Sequence, residues 1–153
     1  MKILKNVFCF AKEHPYCYFA TSDNGQPRVR PMTLLEVNET GFYFQTFDSK
    51  NIFKQLFSNN RIEICFHERR DDGGIVLRIA GEVEFIRNEK LLVELLKRDP
   101  ILKYLGFTEK SPEFVLFRIK KGSAYFWTMD NLLEKVEMIE FDFKEEVELD
   151  RRF

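Results

Sequence analysis

Two turn signals in the first third of the chain constrain its fold most strongly. Ser22-Asp23-Asn24-Gly25 and Asn38-Glu39-Thr40-Gly41 each end a polar run with glycine, where a positive φ is expected. The segments beside them, Cys17–Thr21, Gln26–Val37 and Phe42–Thr46, are predicted to be strands. Short strands joined by turns at short intervals predict a β-meander.

The rest of the chain adds strands and a few helices. Apolar residues at helical spacing between Ile3 and Ala11 predict a first helix, which His14-Pro15 ends. Further helices are predicted at Lys50–Ser58, Asn88–Arg98 and Ile101–Leu105, and further strands at Arg61–His67, Ile75–Ile86, Phe114–Ile119, Ala124–Thr128 and Lys135–Phe141. Gly81 inside a strand marks a bulge or a barrel bend. The pattern predicts a mainly β fold with peripheral helices, an antiparallel barrel of about seven strands.

Length and composition limit the classes of function. The 153 residues suit a single domain, 1–153, with a loose or partner-bound tail at 143–153. The net charge of −1 lacks the basic field that non-specific binding of nucleic acid requires. The 17 phenylalanines can fill a core, and they can also cover a surface between subunits.

Cysteines and apolar runs indicate the compartment. The three cysteines form no C-x-x-C pair and the two histidines lie far apart, so we expect reduced thiols and no zinc site. No apolar run approaches the ~20 residues of a membrane span. No signal-peptide pattern follows the first residues, and we therefore expect a cytoplasmic protein.

The segment Arg28-Val29-Arg30-Pro31-Met32 is the first candidate binding site. Residues two apart in a strand share a face, so Arg28 and Arg30 project together with Met32 beyond them. Paired guanidiniums suit a phosphate, which their planar forks bind through paired hydrogen bonds. Pro31 has no N–H to donate, which predicts that this stretch lies at an edge or a rim of the sheet. The alternative is two solvated arginines on an exposed face.

The segment Thr46-Phe47-Asp48-Ser49-Lys50-Asn51 is the second candidate. It leads into the predicted helix Lys50–Ser58, whose N-terminal N–H groups favour an anion. Lys50 would oppose the helix dipole by ~0.3–1 kcal/mol unless a phosphate shares the site. The alternative is an ordinary helix cap by Asp48 or Ser49. Through the hairpin turn at Asn38–Gly41, both candidate segments are expected to meet in one region.

An ordered series of motifs resembles the pyridoxamine-phosphate-oxidase-like family of FMN-binding split barrels, and most closely its short branch of general-stress and nitroimidazole-reductase-like proteins. The motifs are Y-x-A-T, Q-P-R-V-R-P-M, F-Y-F-Q-T, S-K-N-x-x-K-Q-L, R-I-E-I-C and L-R-I-A-G-E. The resemblance covers Val7 to Phe141 and implies an antiparallel six- to seven-stranded split β-barrel. It also implies a homodimer with FMN at the subunit interface.

The resemblance further assigns residues to the flavin. Arg28, Arg30, Pro31 and Met32 would line it, and Thr46, Ser49, Lys50 and Asn51 would hold its phosphate and ribityl chain. Gln45 would contact the ring edge, and Trp127 would approach from the partner subunit, with a core tryptophan as the alternative. Residues Glu140–Phe153 lack the family's Trp and Arg substrate motif, and Val76-Leu77 precedes Arg78 where the oxidase has Gln. Vitamin B6 oxidation is therefore not expected.

The function predicted from the sequence is an FMN-dependent oxidoreductase acting on an unidentified small molecule, with the flavin supplying the electron transfer. No P-loop, nucleophile elbow or dinucleotide fingerprint is present, and no catalytic residue is assigned. Two alternatives stay open. One is a flavin-binding or stress-response module without turnover, and the other is a deazaflavin or haem in the same barrel.

Overall fold

The computed structural model describes residues 2–153, which form eight strands and four α-helices. The helices are α1 (Lys2–Glu13), α2 (Asn51–Ser58), α3 (Glu89–Arg98) and α4 (Pro100–Tyr104). The strands are β1 (Tyr16–Asp23), β2 (Gln26–Thr33), β3 (Glu36–Asn38), β4 (Gly41–Phe47), β5 (Arg61–Glu68), β6 (Ile75–Ile86), β7 (Phe114–Trp127) and β8 (Ile139–Asp142). The prediction of a mainly β fold with peripheral helices is confirmed.

The strands form one antiparallel sheet in the order β2-β1-β5-β6-β7-β4-β3, with β8 also paired to β7. Within residues 2–153 the two end strands, β2 and β3, do not pair with each other, so the sheet curls without closing. This is the predicted split β-barrel, with eight strands instead of six or seven.

The predicted strand Gln26–Val37 is two strands, β2 and β3. The chain leaves β2 at Leu34-Leu35, where the Leu34 N–H donates to the Pro15 carbonyl (2.8 Å) and the Leu35 N–H donates to the Tyr43 carbonyl (2.9 Å). Leu34-Leu35 therefore connects β2, at one end of the sheet order, to β3, at the other end. The prediction of one strand was wrong because the backbone is extended on both sides of the crossing, and the sequence pattern does not change there.

Two facing glycines shape the middle of the barrel. Gly81 on β6 pairs with Gly122 on β7, and the register shifts just beyond them, between Glu82 and Val83. A Cβ at Gly122 would lie 2.0 Å from the Ala80 carbonyl oxygen, so only glycine allows this approach. The predicted bulge is confirmed. The predicted strands Phe114–Ile119 and Ala124–Thr128 are one continuous strand, β7, which ends at Trp127.

Phenylalanines fill the interior of the barrel. Phe19, Phe44 and Phe117 are fully buried, and their ring centroids lie 5.2–5.8 Å apart. Phe42, Phe141 and Phe143 form a second buried group. These six rings belong to the core, which agrees with the interpretation that the phenylalanines fill a core.

The segment 143–153, predicted to be loose or bound to a partner, packs on its own chain. Phe143 and Asp150 are buried, and Leu149 pairs with Ile86 in an isolated bridge beyond β6. The Asp150 carboxylate accepts hydrogen bonds from Arg152. Charged residues separate the apolar ones in this segment, so its sequence does not predict that it packs on its own chain.

The helices are short and lie outside the sheet. The longest, α1, has 12 residues and buries Val7, Phe10 and Ala11. In the described range 2–153, no helix combines the length and the apolar character needed to cross a membrane.

Candidate functional site

A pocket of about 540 Å³ opens between β2 and the first turn of α2. This volume lies within the range of small-molecule sites, roughly 300–1,000 Å³. The pocket is lined by Asp23, Arg28, Val29, Arg30, Lys50, Asn51, Ile52 and Gln55. Both predicted segments contribute to it, so the structure brings Arg28, Arg30, Lys50 and Asn51 together.

The two segments meet by a different route from the predicted one. β2 pairs with β1, and α2 packs against β1, so the segments meet across that strand. The hairpin turn at Asn38–Gly41 joins β4 only to the short strand β3. The expectation that the hairpin would bring them together was wrong because Leu34-Leu35 separates β2 from β3.

The arginines of β2 lie on the inner side of the barrel wall. Arg28 pairs with Thr21 and Arg30 pairs with Phe19, and paired residues of antiparallel strands point to the same face. β2 ends the sheet, which confirms the edge position predicted from Pro31. Arg28 is exposed and forms an ion pair with Asp23, with 3.3 Å between Nε and Oδ2.

Arg30 is held by a hydrogen-bond network. Its guanidinium donates to the Phe19 carbonyl (3.1 Å), to Thr21 Oγ1 (2.8 Å) and to Gln55 Oε1 (2.6 Å). The Thr21 hydroxyl also donates to Gln55 Oε1 (2.6 Å). Burial lowers the pKa of Arg30, yet arginine stays charged at any physiological pH. The network therefore presents a fixed positive charge to the pocket.

The N-terminus of α2 faces this charge without a side-chain cap. Lys50 is the N-cap residue, with extended backbone at φ −80° and ψ 146°. Among residues 2–153 no side chain caps α2, and its first turn contains no acidic residue. The alternative given for this segment, a helix cap by Asp48 or Ser49, is therefore not what the structure has. The Lys50 N–H donates to the Phe47 carbonyl (3.0 Å), which makes Asp48 and Ser49 the centre of a turn before the helix.

The other predicted contact residues do not line the pocket. Ser49 is exposed in the turn beside Lys50, and Thr46 is buried on β4. The Gln45 amide donates to the Thr46 carbonyl (2.6 Å). Met32 is half-buried and packs against the core, whereas Pro31 is exposed on the opposite face of β2 from the arginines.

Trp127 lies in a second cavity of about 480 Å³ on the outer face of the sheet. Tyr18, Cys65, Val76, Arg78 and Tyr125 are among its lining residues. Val29 lines both cavities, so they adjoin along β2. Trp127 is half-buried there, which differs from the core tryptophan given as its alternative.

Asp23, Thr21 and Gln55 were missed in the sequence. A signal existed for Gln55, since it is a polar residue on the face of α2 that buries Ile52 and Leu56. A buried polar residue at such a position needs a partner, and here the partners are Thr21 and Arg30. For Asp23 the sequence predicts only a place in the turn Ser22–Gly25, and its position in the pocket lining was not expected.

The pocket lining formed by residues 2–153 contains no histidine and no cysteine. The same residues contain no cluster of three metal-ligating side chains. The donors present are three cationic side chains, amides and helix N–H groups, opposed by one carboxylate. Such a set binds and orients an anion.

Comparison with known families decides the relationship. The family model described as pyridoxamine 5'-phosphate oxidase matches residues 3–128. The chain belongs to the pyridoxamine 5'-phosphate oxidase family. Members of this family typically bind flavin and include oxidoreductases. No curated protein matches the chain at a significant level.

Solved structures agree with this assignment. A NimC/NimA family protein from Clostridium acetobutylicum is 25% identical with a TM-score of 0.72, over 90% of this chain and 92% of that one. General stress protein 26 from Bacillus anthracis is 14% identical with a TM-score of 0.71, over 92% and 100%. PhzG from Burkholderia lata, in complex with tetrahydrophenazine-1-carboxylic acid, is 17% identical with a TM-score of 0.67, over 92% and 91%. The last two likenesses concern the fold alone.

Proposed function

We propose that this chain is an FMN-binding flavoprotein, a homodimeric oxidoreductase acting on a small molecule. One observation carries the proposal: Arg28, Arg30 and Lys50 converge on one pocket at the uncapped N-terminus of α2. The family typically binds flavin, and this pocket is where the described residues offer the chemistry for a flavin phosphate.

The donor set suits a dianion. Three cationic side chains line the pocket, and Asp23 neutralises part of Arg28 through their ion pair. The N–H groups at the start of α2 add positive potential, and Asn51 adds an amide. A net positive site remains, so the phosphate would be bound by Arg30, Lys50 and the helix start. Ser49 lies in the adjacent turn and would add a hydroxyl donor.

The flavin ring would extend from this site along β2. Val29 connects the pocket to the outer cavity that holds Trp127, so a ligand held at α2 has a continuous surface to follow. Met32, Gln45 and Thr46 would support the ring and ribityl chain from the barrel side, and Pro31 would contact it from the outer face. Bound FMN would supply electron transfer, while the protein would supply binding, orientation and positive charge.

The outer face of the sheet would be the dimer interface. Tyr16, Tyr18 and Val29 expose 78%, 58% and 68% of their surface there. Contiguous exposed apolar residues mark an interaction surface. Arg78 pairs with Glu63 in the same cavity and lies 5.7 Å above the Tyr125 ring, a charged and aromatic mixture typical of interfaces. A second copy covering this face would also cover Trp127 and the adjoining end of the flavin pocket.

A second candidate is a flavin-binding protein without turnover. The observation that favours it is the absence of histidine and cysteine from the pocket lining within residues 2–153. Anaerobic mixing of the FMN complex with NADH or NADPH separates the two functions. Rapid bleaching of the flavin absorbance supports the enzyme, and no reduction by either donor supports the binding protein.

The experiment that tests FMN binding is a titration of the purified protein with FMN, followed by flavin absorbance and fluorescence. We expect one site per chain, with binding at least about tenfold weaker in Arg30→Ala. Lys103→Ala, an exposed lysine on α4, is the matched control and should bind as the wild type does. Protein that gains no flavin would refute the proposal. Mass spectrometry of any cofactor released from purified protein distinguishes FMN from a deazaflavin or a haem.

A further inference from the structure

The segment Glu148–Phe153 runs from the end of β6 toward α2. The Arg87 N–H donates to the Glu148 carbonyl (2.8 Å), and the Asp150 N–H donates to the Phe85 carbonyl (3.0 Å). These bonds fix the segment to β6 in an antiparallel pairing. This pairing fixes the position of the backbone that leads into Arg152 and Phe153.

Arg152 connects this segment to the turn before α2. Its guanidinium donates to the carbonyls of Pro112 (2.5 Å) and Phe114 (3.0 Å). The carbonyl between them, that of Glu113, accepts the Asp48 N–H (3.0 Å). Asp150, whose side chain is 2% exposed, holds the guanidinium in place at 2.7 Å. Arg152 thus braces the backbone that anchors the first residue of the turn Asp48–Lys50.

Phe153 packs against the first turn of α2 itself. Its ring centroid lies 4.7 Å from that of Phe53 and 5.4 Å from that of Phe85. The Phe53 N–H donates to the Lys50 carbonyl (3.1 Å), which links the residue that Phe153 contacts to the N-cap of α2. The Arg152 guanidinium lies 4.9 Å above the Phe153 ring and joins the two contacts.

We infer that Arg152 and Phe153 are positioning residues that hold the turn Asp48–Lys50 and the start of α2 in the geometry that binds the cofactor phosphate. Neither side chain lines the pocket between β2 and α2, so both act through the residues they contact. The phosphate part of this inference rests on the proposed FMN site. The holding of the turn is a property of the chain alone.

The test compares FMN with riboflavin, which has the same ring and no phosphate. In Phe153→Ala the Kd for FMN should rise about tenfold, whereas the Kd for riboflavin should change less than about twofold. Phe153→Tyr keeps the ring and should restore the FMN affinity. Val147→Ala is the control, because it trims an apolar side chain that lies just before the segment and packs on a different cluster, the one around Ile86, Leu92 and Phe114. An equal loss of both affinities, or a loss of neither, would overturn the inference.

Hydrogen exchange of the cofactor-free protein tests the holding of the turn separately. Amides of residues 48–53 should exchange faster in Phe153→Ala than in the wild type or in Val147→Ala. Unchanged exchange there would overturn the positioning role even if the protein binds FMN. If wild-type protein binds neither flavin, the proposed function fails and the phosphate part of the inference fails with it, while the exchange result still decides the remainder.

Discussion

Replacing Lys50 with aspartate should stabilise the cofactor-free protein. Lys50 has the extended backbone of an N-cap, and no side chain among residues 2–153 caps α2. Aspartate there can accept a hydrogen bond from the first turn, which contributes ~0.5–2 kcal/mol. It also replaces an unfavourable charge at the positive end of the helix, worth a further ~0.3–1 kcal/mol. The two effects overlap, so we expect a gain of about 1–2 kcal/mol in the free energy of unfolding.

The same substitution should weaken FMN binding. It converts an attractive charge at the phosphate site into a repulsive one, beside the ion-paired carboxylate of Asp23. Solvent screens the site, so the effect is modest for a charge reversal. We expect the Kd for FMN to rise at least about tenfold, which corresponds to about 1.4 kcal/mol of binding free energy. A gain in stability with a loss of binding is the signature of a residue retained for its ligand.

Thermal unfolding without cofactor and fluorescence titration with FMN measure the two effects. We expect a Tm about 2–8 °C higher, from roughly 2–4 °C per kcal/mol in a chain of this size. Lys54→Glu makes the same change of charge one turn further along α2, outside the pocket lining, and should alter the Kd less than about threefold. A lower Tm, or an unchanged FMN affinity, in Lys50→Asp would show that Lys50 is not retained for a bound phosphate.

Three further predictions follow from the same contacts. Gln55→Leu should lower the free energy of unfolding by about 1–3 kcal/mol in a denaturant titration, because two donors lose their shared acceptor; no change would contradict the network. Burial opposes ionisation of Asp150, but hydrogen bonds from Arg152 outweigh it and hold the Asp150 pKa below its ordinary value. Asp150→Asn should therefore be less stable than the wild type at neutral pH, and the difference in denaturation midpoint should shrink as the pH falls below about 4; a constant difference would exclude the charge. Tyr18→Asp should give a monomer in light scattering where the wild type gives a dimer, and an intact dimer would place the interface elsewhere.

The local elements could be predicted because hydrophobic periodicity and turn residues determine them. The turn at Asn24-Gly25 and the helix that begins near Lys50 follow from residue type and spacing alone. The crossing at Leu34-Leu35 could not be predicted, since its N–H groups bond to residues distant in sequence while its own pattern stays that of a strand. Strand pairing is a long-range property, and it decided how the two candidate segments meet.

The charged residues of the site could be predicted from the sequence, but the hydrogen bonds that hold Arg30 in place could not. Arg30 and Lys50 stand out because cations at a strand edge and a helix start need an explanation. Gln55 could have been found as a polar residue on the buried face of a helix, whereas its pairing with Thr21 depends on how α2 packs against β1. Sequence patterns show residue types at regular spacing, and they do not show hydrogen bonds between elements.

A crystal structure of the protein grown with FMN tests the central claim most directly. We expect one flavin per chain, with its phosphate between the Arg30 guanidinium and the start of α2 at Lys50 and Asn51. We also expect the ring to run along β2 toward the face covered by a second copy of the chain. A phosphate bound elsewhere, or no flavin in the pocket at saturating FMN, would contradict it.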